Sequence, residues 1–213
     1  MNFEGLPYAA RSDDPPSAHA AVPALVAALK DDPFYVAIRS DVAGDWQAES
    51  AMLARYFSMS LSEAGRIGIC SSLDDPVCGA AAWLVPRTPS QAAADAVAKT
   101  QALETILGPN GLASYHRIVE FMAPLAAAVI PAEAWYLSIV GIDPQLQGQG
   151  LGKALLRPTL DEMDATGTVG YLETFTPRNS AFYRRLGFVE VRRHFEPCTA
   201  AWYALMRRDP RKR

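Results

Sequence analysis

The stretch that most constrains this chain runs from Trp135 to Phe188. Its start, Tyr136 to Ile142, is an apolar run bounded by Asp143-Pro144 and reads as a buried strand. Three glycines follow at every second position, Gly148, Gly150 and Gly152. Leu151 to Ala165 then places Leu151, Leu155, Leu156, Leu160 and Met163 on one helical face. Val169 to Phe175 reads as a second strand. Another helix begins at Thr176-Pro177, where Thr176 can cap and Pro177 suits the first helical position. Strand, crossover helix and strand in this order predict a right-handed connection between parallel strands, hence an α/β sheet.

The glycines also have a chemical use. Without a Cβ the backbone reaches positive φ and approaches a ligand closely. The unpaired N–H groups at the head of the following helix then favour an anion, so Gln147 to Lys153 reads as a pyrophosphate cradle. A Walker A loop needs a glycine five residues before Gly-Lys-Ser/Thr. Gln147 holds that place and Ala154 follows Lys153, so both ends fail. A Rossmann fingerprint needs G-x-G-x-x-G, and these glycines are spaced G-x-G-x-G. The remaining pattern is the Q/R-x-x-G-x-G/A turn, present as Gln147-Gly148-Gln149-Gly150-Leu151-Gly152.

The rest of the chain supplies further elements. Ala18 to Lys30 and Trp46 to Ser60 carry helical apolar patterns, the second capped by Asp45. Phe34 to Gly44 reads as irregular. Ile67 to Ser71 and Val77 to Val85 form a hairpin around Leu73-Asp74-Asp75-Pro76. Gln91 to Leu107 and Ala113 to Val129 are helical, separated by the breaker Gly108-Pro109-Asn110-Gly111. Ala200 to Arg207 reads as a final strand.

With 213 residues, half of them hydrophobic, and a net charge of -3, the chain has globular composition and no basic bias toward nucleic acid. The arginine-rich end, Arg207 to Arg213, reads as a solvated terminus. Cys70, Cys78 and Cys198 show neither disulfide nor zinc spacing and suit a reducing cytoplasm. The polar start, MNFEGLPYAARSDDPP, is unlike a signal peptide, and no apolar run reaches the roughly 18 residues of a membrane span. No metal and no membrane partner are expected.

The glycine turn, the strand end Gly141-Ile142-Asp143-Pro144 and the later Asn179-Ser180-Ala181-Phe182-Tyr183-Arg184-Arg185-Leu186-Gly187-Phe188 together resemble the GNAT superfamily of acetyl-CoA-dependent N-acetyltransferases. The second motif matches that family's N-x-x-x-Y-x-x-x-G-F phrasing. The clearest resemblance covers residues 134–191, with a helical insertion at about 90–130 inside one domain spanning 1–213. It implies the GNAT-type acyl-CoA N-acyltransferase fold: a mixed sheet of six or seven strands, one splayed parallel pair, and helices on both faces. It also implies direct transfer of acetyl from acetyl-CoA to a primary amine of a small molecule in a ternary complex. A protein or peptide substrate, or a non-catalytic coenzyme A-binding regulatory domain, are the alternatives. The resemblance leaves room for a homodimer.

By position, the resemblance gives the pantetheine arm and acetyl carbonyl to the backbone of Val140, Gly141 and Ile142. It gives the pyrophosphate to Gln147, Gly148, Gln149, Gly150, Leu151, Gly152 and Lys153. Asn179 would touch the cofactor arm, and Tyr183, four residues on and so on the same helix face, would protonate the leaving thiolate. Glu173 is the candidate base; strand alternation can aim it at the cleft or at solvent. His116 and His194 are chemically able but isolated in sequence. Phe34, Tyr35, Tyr115 and Trp202 are candidates for the acceptor pocket, with Tyr56 beside them.

Overall fold

In the computed structural model, which describes residues 10–11, 19–74 and 77–211, the strands form one seven-stranded mixed sheet. Most of the N-terminal stretch, Ala18, Asp75-Pro76 and the last two residues lie outside the described residues. The strands are β1 (Ala10–Arg11), β2 (Gly68–Asp74), β3 (Val77–Leu84), β4 (Trp135–Ile142), β5 (Gly170–Thr174), β6 (Val189–Glu196) and β7 (Ala201–Arg208). They lie in the order β1-β2-β3-β4-β5-β7-β6, antiparallel throughout except for β4 and β5. Helices α1 (Val22–Leu29), α2 (Pro33–Ile38), α3 (Trp46–Ile67) and α4 (Pro89–Ala127) cover one face; α5 (Leu151–Thr166) and α6 (Pro177–Arg185) cover the other. Among the described residues, no helix is long and apolar enough to cross a membrane.

One residue sets the geometry of β4. Its pairing with β3 shifts register between Ala82 and Trp83: Ala82 faces Ile139, but Trp83 faces Leu137, leaving Ser138 as the extra residue of a bulge. Leu137 and Ile139 should share a face by alternation. They pack instead into opposite cores, Leu137 with α5 and Ile139 with α1 to α4. The bulge has turned the strand over. Ser138 Oγ donates to the Ala82 carbonyl at 3.3 Å and fixes that kink.

Two elements differ from the sequence expectation. Phe34 to Gly44 is not irregular: Asp32 accepts the Phe34 N–H at 3.0 Å, Pro33 takes the first position, and α2 forms, followed by a 3-10 turn at Ser40–Val42. Val189–Glu196 is an edge strand that its polar pattern, VEVRRHFE, concealed. The Gly108 breaker does separate two helical segments of α4, as expected: they meet at a kink where Gly108 takes the non-helical φ 69 and ψ 175. Beyond the kink, Asp41 supplies the missing cap from another element. Its carboxylate accepts from Asn110 Nδ2 at 2.6 Å and from the Gly111 N–H at 2.7 Å, which holds the Asp41 carboxyl below its usual range.

Gly111 seats α4 against α2. A Cβ there would lie 2.2 Å from the Ile38 carbonyl oxygen, so only glycine permits the contact. Gly111→Ala is therefore expected to destabilise the fold by about 1–3 kcal/mol through overpacking. Urea unfolding checks this, and an unchanged midpoint would mean that α4 does not rest on Ile38.

Candidate active site

The glycine turn is built from the end of β4. Asp143 accepts the Gln145 N–H at 2.9 Å across the 3-10 turn Pro144–Leu146. Gln147 Nε2 then donates to the Ile142 carbonyl at 3.0 Å and ties the loop back to the strand. Gly148 and Gly150 take φ of +83° and +84°, a region side chains avoid. Gly150 is the N-cap residue of α5 and offers no side-chain cap to the Leu151 and Gly152 amides, while the Lys153 N–H already donates to the Gly150 carbonyl at 3.0 Å. Gly152 plays a different part: a Cβ there would meet the Phe182 ring at 3.1 Å, so it lets α5 and α6 pack together. Leu151 is buried in the core, while Gln149 and Lys153 are exposed.

The second feature is a wedge in the sheet. Strands β4 and β5 pair only at Trp135 with Gly170 and Tyr136 with Tyr171, then part. At the apex the Tyr136 and Tyr171 rings stack with centroids 4.7 Å apart and planes at 23°. Past that point the β5-facing side of β4, through Val140 and Gly141 to Ile142, has no strand partner in β5. Gly141 faces α1, where an added Cβ would meet Leu25 Cδ2 at 2.9 Å; Val140 borders the opening.

A cavity of about 560 Å³ fills the wedge and runs beneath α1 to α4. Tyr136, Val140, Glu173, Asn179 and Tyr183 line its sheet side, and Asp32, Phe34, Tyr35, Tyr56, Glu63, Lys99 and Tyr115 line its helical side. The strand alternation of β5 is thereby resolved: Glu173 faces the cavity, opposite to Leu172 in the other core. Asn179 and Tyr183 both reach the cavity from α6, as their spacing implies. Thr176 stands at the α6 N-cap without a capping side-chain bond; its hydroxyl is engaged with Asp32.

Burial dominates the electrostatics. It raises the Tyr183 hydroxyl well above its ordinary range, and the charge of Asp32 adds to the effect, so Tyr183 stays protonated. Burial also pushes Glu173 up to about 7, against a hydrogen bond from Tyr136 that pulls it down. Asp32 is pushed up to about 6 by the same cause, opposed by its bonds to Phe34 and Thr176. Deeper in the cavity, Lys99 Nζ meets Glu63 at 2.9 Å. Burial alone would lower Lys99, but Tyr115 and Glu63 outweigh it and keep it charged.

The structure thus gathers Phe34, Tyr35 and Tyr115 with Glu173, Asn179 and Tyr183. Trp202 is not among them: it is 59% exposed on β7, edge-on to Phe195. Neither His116 nor His194 lines the cavity. Sequence reasoning passed over Asp32, Glu63 and Lys99. Asp32 lies in the short break between two elements, and Glu63 and Lys99 meet across α3 and α4 with no local signal.

The family model described as an acetyltransferase (GNAT) domain matches residues 113–190. Over 83 residues the chain is 40% identical to N-alpha-acetyltransferase RimI of Mycobacterium tuberculosis, covering 37% of this chain and 51% of that protein. The chain spans about half the length of the curated relatives it matches. A Corynebacterium glutamicum structure described as histone acetyltransferase HPA2 and related acetyltransferase superposes with a TM-score of 0.68 at 21% identity, over 98% of both chains. The polyamine N-acetyltransferase of Drosophila melanogaster superposes with a TM-score of 0.58 at 12% identity, over 94% of this chain and 98% of that one. At these identities the superpositions speak for the fold. The glycine turn, the Asn179–Tyr183 helix and the splayed strand pair stand in one frame, and the segment 113–190 that carries most of them is similar to GNAT acetyltransferase domains.

Proposed function

We propose that this chain is an N-acetyltransferase that moves acetyl from acetyl-CoA directly to the primary amine of a small molecule. It acts as one domain over residues 1–213, and its unpaired cysteines suit a reducing cytoplasm. The observation that carries the reading is the cavity at the wedge, which brings a protonated tyrosine and a carboxylate near neutrality to the same opening in the sheet. The open amides of α5 suit the cofactor's pyrophosphate, and the unpaired side of β4 suits its pantetheine amides and polarises the acetyl carbonyl. Glu173 takes a proton from the amine, whose nitrogen attacks the carbonyl. Tyr183 gives its proton to the departing thiolate.

A small acceptor is favoured because α4 walls the cavity with Lys99, Tyr115, Ile118 and Met122, where a polypeptide would need an open groove. The Drosophila neighbour, titled as forming N-acetylagmatine, is in keeping with that. The second reading, a protein N-terminus, rests on the relative named for N-alpha-acetylation.

Calorimetry with acetyl-CoA, followed by thiol release against small amines and N-terminal peptides, tests the proposal. Binding with turnover on small amines supports it, turnover on peptides alone moves the substrate to protein, and absence of binding removes the reading. Tyr183→Phe is expected to keep acetyl-CoA affinity while turnover at neutral pH falls by about 10²–10⁴-fold. Equal turnover would take the acid role from Tyr183.

The raised Glu173 carboxyl makes a prediction of opposite sign for stability and activity. Its folded value of about 7 lies above the ordinary 4.5, so its contribution to stability is full below 4.5 and lost as pH rises through 7. Glu173→Gln should match the wild type near pH 4 and exceed it above pH 7, by at most about 3 kcal/mol before cavity water reduces the effect. The wild-type rate should rise through the same interval as the base ionises, and the Gln variant should lack that limb. Melting curves and kcat profiles from pH 4 to 9 check both.

A further inference from the structure

Asp32 sits where its sequence context gives a bland explanation. Between α1 and α2 it is the N-cap, accepting the Phe34 N–H at 3.0 Å, with Pro33 after it and an extended backbone at ψ 133. A carboxylate that only caps a helix turns its remaining oxygen toward water. Here the side chain lines the cavity, engages the Thr176 hydroxyl at the head of the Tyr183 helix, and lies close enough to Tyr183 and Tyr35 for its charge to oppose ionisation of both.

The other cavity charges are already answered. Glu63 is paired with Lys99, and Glu173 receives the Tyr136 hydroxyl. Among the described residues, no Lys or Arg contributes to holding the charge of Asp32. A desolvated carboxylate without a cation gains when one arrives. Around it stand Phe34, Tyr35 and Tyr56, with Phe34 and Tyr35 edge-on at 5.2 Å and Tyr35 and Tyr56 at 5.7 Å. Such rings accept both an apolar body and the face of a cation.

Building on the acetyltransferase reading, we propose that Asp32 is the receptor for the acceptor's ammonium group, which it holds beside Tyr183 while the Phe34–Tyr35–Tyr56 rings take the attached apolar or aromatic body. The substrate class is a compact primary amine with such a body. Asp32 thus positions the nitrogen, and Glu173 remains the proton acceptor. Burial, which pushes the Asp32 carboxyl up to about 6, sets the pH at which this receptor becomes charged. The groups facing it are Tyr183 from α6, Tyr35 on its own helix and Thr176; Glu173 and the Glu63–Lys99 pair share the cavity.

Asparagine separates this role from the cap, because it caps a helix about as well as aspartate but carries no charge. Asp32→Asn should melt no lower than the wild type, and above pH 6 somewhat higher because a desolvated charge is removed, and it should bind acetyl-CoA equally well. It should bind 2-phenylethylamine, measured by calorimetry with coenzyme A present, at least tenfold more weakly at pH 7.5. The uncharged 2-phenylethanol should bind both proteins alike. KM for the amine should rise by the same factor as the binding loss, with a smaller change in kcat, and Asp32→Glu should recover part of it. Amine affinity of the wild type should increase through pH 6, and that of the Asn variant should not. Equal amine affinity in the two proteins, a loss shared by the alcohol, or no amine binding by the wild type overturns the proposal. Absence of thiol release by the wild type with every amine and peptide would remove the acetyltransferase reading instead, while the amine-against-alcohol comparison still decides the role of Asp32.

Discussion

Two residue pairs hold β4 to β5, and the functional part of this molecule exists because the pairing stops there. Parallel strands with free edges inside a sheet are costly, since unpaired amides and carbonyls need partners. Here the edge is kept open by two local devices. The bulge at Ser138 over-twists β4, and the stacked rings of Tyr136 and Tyr171 plug the apex of the wedge. Beyond the apex, β4 from Val140 to Ile142 pairs with β3 alone, which is the edge that the proposed function uses for the cofactor arm.

The four helices on one face convert that wedge into a chamber. Each contributes a wall, and the longest, α4, can bend over the opening only because Gly108 kinks it and Asp41 caps the helix beyond the kink. Enclosure has an electrostatic consequence. Desolvation raises Asp32, Glu173 and Tyr183, but unequally, because each has different partners. Tyr183 is left as a firm proton carrier, Glu173 near neutrality, and Asp32 slightly below it. One physical effect, graded by local hydrogen bonds, sets three groups with different proton affinities in one cavity, the range that the proposed acid, base and cation receptor require.

Much of this was legible in the chain. The strand, glycine turn and helix from Tyr136 to Ala165 follow from periodicity and from the freedom of Gly148 and Gly150, which are local properties. The shared face of Asn179 and Tyr183 is likewise a matter of helical spacing. Where reading failed, the deciding contact was remote. Trp202 looked like a pocket aromatic, but the neighbouring β6 turns it outward to Phe195. The edge strand β6 has a polar pattern because most of its residues stay exposed or half-buried.

The crossover unit, the glycine turn and the tyrosine helix follow from local sequence, since turns, caps and amphipathic faces are written within a few residues of one another. Packing of the whole chain set which face Glu173 meets, that Ile139 lies opposite to Leu137, and that Asp32 joins Tyr183 in a chamber with Glu63 and Lys99. Those outcomes depend on a one-residue bulge and on helices distant in the chain. Burial, which sets the charge state of each group, exists only after they have packed.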